Sequence, residues 1–332
     1  MPEPQFPANP NAGIPPISIV DQALLNISRT THYPLSPFSE KVRLALGIKK
    51  ASWGSVDIPP APPRPLLTPM TGGYRRTPVL QIGADIFCDT NIILPALERL
   101  HPEPTLYPGP NPTLARALSF NWERTIWIPI IGALVHFIGD LPPDFIKDRK
   151  EGYLYIDLSK NAMEPDFDLN VQRIRAQLAW LKDALADGRK FIFGDTPGAL
   201  DLGYFHPISL VRKNAPAAEV DALLGLAPIV PWYERMAQLG HGKPTEMTAE
   251  AALAAAKVAT PMAVTHIKRD DDPMALKPGS PVTVTPDDNA KVPVKGTLVA
   301  ADANEIILHH SSPQTGDIHV HFPRAGFELR AG

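Results

Sequence analysis

Ser36-Pro37-Phe38-Ser39-Glu40-Lys41-Val42-Arg43 is the stretch on which the reading of this chain turns. It passes from a polar turn into an apolar-periodic segment through Leu44, Leu46 and Ile48, which predicts a helix from Pro37 to about Ile48. Ser36 stands at the N-cap: its hydroxyl can accept a bond from a free N–H of the first turn, and Pro37 falls where a missing N–H costs nothing. A hydroxyl there also lies beside the positive end of a helix dipole, where an anion is favoured. Plain capping accounts for the same residues, so the octapeptide alone supports a structural role and an anion-stabilising one.

Working outward, a strand is expected within Ala23–Tyr33 and another near Ser52–Ile58, with the helix between them. A crossover of that length makes a parallel βαβ unit. Prolines gather in residues 1–16, 59–69 and 102–112, marking a tail (residues 1–22) and two irregular connections. Thr77–Ile82 and Asp85–Cys88 flank Gly83-Ala84 and read as a tight β-hairpin. A helix from about Thr90 to Leu100 follows, with Pro95 inside it. Residues 23–105 thus read β-α-β, an irregular piece, then β-β-α.

Strand signals vanish over residues 106–259. Val171, Ile174, Leu178, Leu181 and Leu185 step by three and four, one stripe of an amphipathic helix closed by Asp187-Gly188. Leu114–Ile138, Phe145–Leu158, Ala199–Arg212 and Pro231–Leu239 read alike, and Ala249–Ala259 is an alanine-rich helix leading out of this all-helical domain. Over residues 260–332, short alternating runs separated by turn residues predict a small β module, a compact SH3-like barrel that protects its edges.

The 332 residues are 44% hydrophobic, enough for a sizeable core. Thirty-two basic against 35 acidic residues leave a net charge of −3, which gathers neither nucleic acid nor anionic lipid. A single cysteine, Cys88, excludes an intrachain disulfide framework, a zinc ribbon and a CxxC redox pair. The N-terminus has no basic and apolar regions of a secretory signal, and the longest apolar stretch, Ile126–Ile138, is too short to span a bilayer. A cytoplasmic protein is expected, without membrane or nucleic-acid partners.

Over roughly Leu24 to Gly242 the chain resembles the cytosolic glutathione S-transferase superfamily. Three motifs carry the resemblance: the run opening at Ser36, similar to the active-site turn of the serine- and cysteine-type classes; Arg76-Thr77-Pro78-Val79-Leu80, similar to the segment with the family's cis-proline; and Cys88-Asp89-Thr90-Asn91-Ile92-Ile93, similar to the acidic-plus-hydroxyl pair before the third helix. The resemblance implies a thioredoxin-like first domain, a helical second domain and a homodimer, with the β module as an extra. It also implies glutathione as co-substrate, no metal, and conjugation to a small electrophile, as in detoxification.

On that resemblance Ser36 is the expected thiolate donor, with Tyr33 and Ser39 as rivals. Thr77 and Pro78 would position the tripeptide and Asp89 and Thr90 its γ-glutamyl end, while Arg75 and Arg76 read equally as partners of a glutathione carboxylate and as solvated turn charges. A thiol with a pKa near 8.5 is mostly protonated at neutral pH, so a hydroxyl donor plus a helix N-terminus raises the thiolate fraction. The electrophile is expected between the domains, near Tyr33, Phe38 and Trp122, with Phe120, Trp127 and Phe137 as further aromatic candidates. A serine where disulfide exchange needs a cysteine argues for conjugation over thiol oxidoreduction. A non-catalytic scaffold, and glutathione-dependent isomerase, lyase or dehalogenase chemistry, remain alternatives. His-x-His on a strand of the β module places both rings on one face and could hold a metal, but ligands need a third partner and supporting groups, so His309, His310, His319 and His321 are expected on a solvent face.

Overall fold

The computed structural model describes residues 17–22, 25–26, 32–33, 36–59, 62–267 and 273–332. The first domain contains β1 (Ile17–Gln22), a short antiparallel pair β2 (Leu25–Asn26) and β3 (His32–Tyr33), α1 (Pro37–Ile48), β4 (Ser52–Ile58), α2 (Thr68–Thr71), β5 (Val79–Ile82), β6 (Asp85–Cys88) and α3 (Thr90–Leu100). β1 pairs parallel with β4 and antiparallel with β5, which pairs antiparallel with β6, the arrangement of a thioredoxin-like sheet.

The strand beside β4 therefore lies upstream of Ala23–Tyr33, inside the stretch expected to be a tail. Its signal, the β-branched run Ile17-Ser18-Ile19-Val20, was overshadowed by the prolines that precede it.

The helical domain comprises α4 (Pro112–Ile138), α5 (Pro143–Gly152), α6 (Lys160–Met163), α7 (Phe167–Ala184), α8 (Ala199–Asn214), α9 (Ala217–Leu224) and α10 (Val230–Ala237). α5 stops at Gly152, short of the expected Leu158. At the start of α8, Asp201 accepts bonds from the N–H groups of Gly198 (3.0 Å) and Ile192 (2.9 Å) and from the Trp232 indole (2.8 Å). Gly198 is required by a close approach: a Cβ there would fall 2.6 Å from Pro108 Cδ. The cap thus comes from the aspartate side chain, three residues into the helix.

The chain then returns to the first domain. β7 (Lys243–Glu246) adds to the outer edge of β4, and α11 (Ala249–Val258) packs Ala252 and Ala256 into the core around Val56 and Ile86. The C-terminal module follows: β8 (Pro281–Pro286), β9 (Val294–Ala301), β10 (Glu305–Ser312), β11 (Gly316–Pro323) and β12 (Phe327–Ala331). The last strand pairs with the first of the module, giving the order β12-β8-β9-β10-β11.

The module's other edge is not protected by closure on itself. β11 pairs parallel with β6, so both domains share one ten-stranded sheet, β12-β8-β9-β10-β11-β6-β5-β1-β4-β7. Two edges that would otherwise expose unpaired backbone groups thereby cover each other.

Side-chain alternation sends the first domain's sheet residues into two cores. Leu80, Ile82 and Phe87 face α1, α3 and the helical domain, joining Val42, Trp122 and Phe205. Val79, Ile86 and Cys88 face the other way, joining Met70, Val284, Leu308 and Phe322. The module is thus a structural half of that second core. Its histidines do not share a solvent face: His309 is 40% exposed, but His319 is 15% and His321 only 2% exposed, both against Asp85. No helix among the described residues is long and apolar enough to cross a membrane.

Candidate functional site

Two adjoining cavities open where the first domain, the helical domain and the module meet. The larger, of about 300 Å³, has Arg76, Thr77, Pro78, Asp89 and Thr90 in its wall; the smaller, of about 90 Å³, has Ser36, Pro37 and a set of aliphatic residues from α4. Phe38, Thr77, Trp127, Tyr153 and Leu154 line both and form the partition, where Phe38 meets Trp127 edge to face at 5.0 Å.

Ser36 caps α1 as its sequence requires, accepting from the Ser39 N–H at 3.3 Å. Its Oγ also lies 2.6 Å from the Ser39 Oγ. Ser39 is fully buried and lines neither cavity, so of the two hydroxyls Ser36 faces open space. If Ser39 donates within this pair, the Ser36 proton is left for a group in the cavity. Arg64 and Arg149, neither marked by any motif, line the same cavity and add positive potential that favours an anion there.

The Thr77–Pro78 bond is cis. Among the described residues neither backbone group of Thr77 has a hydrogen-bond partner. Asp89 caps α3, accepting from the Asn91 N–H at 2.9 Å, with φ at +90°, a conformation that L residues seldom adopt. Burial pushes the Asp89 carboxyl above the ordinary carboxylate range, with the Arg76 guanidinium, 3.6 Å away, pulling the other way.

Thr90 is held from behind. The buried Lys41 ammonium donates to its Oγ1 at 3.1 Å and lies 2.5 Å from Glu123 Oε1, which also meets His206 Nε2 at 3.1 Å. Because Lys41 donates to Thr90, the threonine's own proton is directed elsewhere. Burial pushes the Glu123 carboxyl up, but Lys41 and His206 outweigh it and leave it below its usual value. Lys41 belongs to the opening octapeptide; its role escaped the sequence because Glu123 and His206 lie on other helices.

Arg76 binds Asp288 and the Asn289 carbonyl, both in the loop after β8, and these residues with Phe327 reach the mouth of the larger cavity. Tyr74, also in its wall, has a buried hydroxyl without a hydrogen-bond partner among the described residues. The structure therefore brings Phe38, Arg76, Thr77, Pro78, Asp89 and Thr90 together, with Ser36 across the partition.

Others fall outside. Trp122 is a core residue, 1% exposed, stacked on Tyr204 at 4.3 Å and donating to the Gly203 carbonyl; it lines neither cavity, because its ring points into the α4–α8 contact. Phe137 lines neither, whereas Phe120 and Trp127 do line the larger cavity. Arg75 turns away to Asp148 and the Gly152 carbonyl. The Tyr33 side chain lies outside the described residues. Cys88 is fully buried, and burial pushes its thiol well up, so it is no nucleophile.

Comparison with known proteins bears on the two domains that enclose these cavities. Residues 31–105 match the model of the glutathione S-transferase N-terminal domain, and residues 164–235 that of the C-terminal domain. A GST-like protein from Pseudomonas syringae is 28% identical, with a TM-score of 0.75 over 96% of this chain and 99% of its own, coverage that takes in the C-terminal module. A glutathione transferase from Phanerochaete chrysosporium, 17% identical with a TM-score of 0.51 over 68% of this chain and 98% of its own, shares the fold of the first two domains. No curated protein sequence matches the chain. The chain belongs to the glutathione S-transferase superfamily.

Proposed function

We propose that this protein is a glutathione transferase in which Ser36 stabilises the glutathione thiolate for attack on a small electrophile. The observation that carries this reading is the pairing of a polar cavity lined by Arg76, Thr77, Pro78, Asp89 and Thr90 with an apolar one opening on Ser36. The unpartnered Thr77 backbone suits antiparallel pairing with the cysteinyl part of the tripeptide. Asp89 suits the γ-glutamyl ammonium, and Thr90 with the N-terminus of α3 its carboxylate. The thiol then falls toward Ser36, whose hydroxyl, the α1 dipole and two nearby guanidinium groups favour its ionised form.

The chemistry balances simply. The thiol proton leaves to solvent, the thiolate sulfur forms a bond to the electrophilic carbon, and a leaving group departs or a double bond accepts the electron pair. The aliphatic lining of the smaller cavity selects an apolar electrophile of modest size.

Calorimetric titration with glutathione, followed by Ser36→Ala kinetics, tests the reading. One charge-assisted hydrogen bond to the thiolate is worth about 1.5–3 kcal/mol, so Ser36→Ala lowers kcat about 10–100-fold while glutathione affinity barely moves. Equal turnover by the variant removes Ser36 from the mechanism. A panel of electrophiles separates conjugation from isomerase, lyase and dehalogenase chemistry.

One observation favours a second reading, a scaffold without catalysis: Asp288 and Asn289 of the module already engage Arg76 at the mouth of the polar cavity. Absence of glutathione binding at millimolar concentration selects that reading. A cytoplasmic homodimer also comes with the transferase assignment. The faces of α3 and α4 beside β6 are covered by the module through Arg99–Glu305 (3.4 Å), Arg116–Asn304 (3.1 Å) and Arg124–Asp287 (2.7 Å), so a second copy must use another surface. Light scattering of the full chain reads that directly.

A further inference from the structure

The seam between the module and the first domain holds a cluster that the transferase chemistry does not use. β11 runs parallel to β6 with His319 opposite Asp85 and His321 opposite Phe87. Residues two apart on a strand share a face, so the register places both imidazoles on the Asp85 side of the sheet. Asp85 Oδ1 lies 2.9 Å from His321 Nε2 and 3.7 Å from His319 Nδ1. All three ligand-type atoms fall within 4.8 Å of one another. None of the three residues lines either cavity of the candidate active site.

We infer that Asp85, His319 and His321 form a divalent transition-metal site, suited to zinc, that clamps the C-terminal module to the first domain's sheet. Zinc bonds of about 2.0–2.1 Å in a tetrahedron put neighbouring ligand atoms about 3.3 Å apart, between the two separations measured to Asp85 Oδ1.

The groups behind the ligands are arranged as a metal site requires. His321 Nδ1 meets Glu305 Oε1 at 2.7 Å, which orients Nε2 toward Asp85, and Glu305 is in turn held by His266 at 2.9 Å and Arg99 at 3.4 Å. A carboxylate on the far nitrogen of a ligating histidine fixes its tautomer and raises its basicity. The second Asp85 oxygen is fixed by the Met262 N–H at 2.8 Å. Phe87 stacks on the His321 ring at 4.3 Å.

His319 supplies the independent sign. Its Nδ1 is buried and has no hydrogen-bond partner among the described residues, a polar atom that a cation would satisfy. The remaining exposure of this side chain, 15%, leaves a path by which an ion and a fourth ligand, water, enter. Binding displaces the proton shared between Asp85 and His321; no redox step is involved.

The competing state is a metal-free one in which His321 bridges Asp85 and Glu305 as an imidazolium. The full-length protein, stripped with chelator and dialysed against zinc, is expected to retain one zinc per chain by elemental analysis and to melt at a higher temperature than the stripped form. His319→Ala, a partly exposed position whose loss the fold should tolerate, removes the stoichiometric zinc and the chelator-sensitive shift. Glu305→Gln weakens zinc about 10–100-fold. His136→Ala, on α4 and bonded to Glu164, leaves both readouts unchanged. Failure of the wild-type chain to retain zinc, or equal retention by His319→Ala, overturns the assignment. Neither result bears on glutathione binding.

Discussion

The two faces of the first domain's sheet are built on different principles. Toward α1, α3 and the helical domain, the core carries buried charge: Lys41 and Glu123, with the His206 imidazole, are each at most 6% exposed and joined in one network behind Thr90. Toward α11 and the module, the residues around Ile86 and Phe322 are apolar, among them Val56, Met70, Val79 and Leu308. On the helical side, charge orients a cavity residue at Thr90 and, through Asp85, His321 and Glu305, joins the module to β6; the core facing α11 is apolar. The module matters to both: its strands fill the apolar face, and the loop after β8 reaches the polar cavity.

Matched substitutions test this contrast most strongly. Phe322→Ala on the apolar face costs about 3–5 kcal/mol through the cavity it leaves. Lys41→Ala on the other face costs a similar amount, about 3–5 kcal/mol, because Glu123 then lacks its buried counter-charge. Urea unfolding reads both. Glutathione titration separates them: Lys41→Ala also weakens binding through Thr90, whereas folded Phe322→Ala binds as the parent does. A Phe322→Ala chain that unfolds in two steps, with the second unchanged, would break the picture of a module built into the main core.

The two faces also differ in how far the sequence reveals them. Ser36 and Asp89-Thr90 were legible as helix caps, because capping geometry depends on neighbours a few residues away, whereas the cis Thr77-Pro78 bond was expected only from the family resemblance. The longer helices were legible from their apolar period, although α9 and the one-turn α2 and α6 were missed. Of the β module, β8 to β11 were legible, but β12 was missed and so was the pairing with β6, since nothing in an alternating run names the strand it will join. Lys41 carried no mark of its role for the same reason: its partner Glu123 is 82 residues away. Trp122 was misplaced because periodicity gives a helix face but not the element that covers it; here α8 does.

Asp288 offers a smaller test of how the module meets the polar cavity. Its carboxylate holds the Arg76 guanidinium, which a glutathione carboxylate would also seek. Both side chains keep some exposure, so the pair is worth about 1 kcal/mol at most. Asp288→Asn therefore tightens glutathione binding by about fivefold at most, in a titration against the parent protein. Weaker binding would mean instead that the loop after β8 completes the site.

The smallest effect comes from Asp89, and its sign follows from burial. The folded, unliganded protein holds the Asp89 carboxyl above the ordinary range, because taking the charge out of water costs more than Arg76 returns. An ammonium group bound beside it favours the ionised form, so ligand and proton compete. Glutathione affinity is therefore full when Asp89 is ionised and declines as pH falls through its raised pKa, at higher pH than an unperturbed aspartate would give. Once Asp89 is protonated the expected loss is about two- to threefold, the scale of one partly screened ion pair. Asp89→Asn binds more weakly at neutral pH and loses that component of the pH dependence. A parent-like slope in the variant would move the titration to another group and leave Asp89 as a cap of α3 alone.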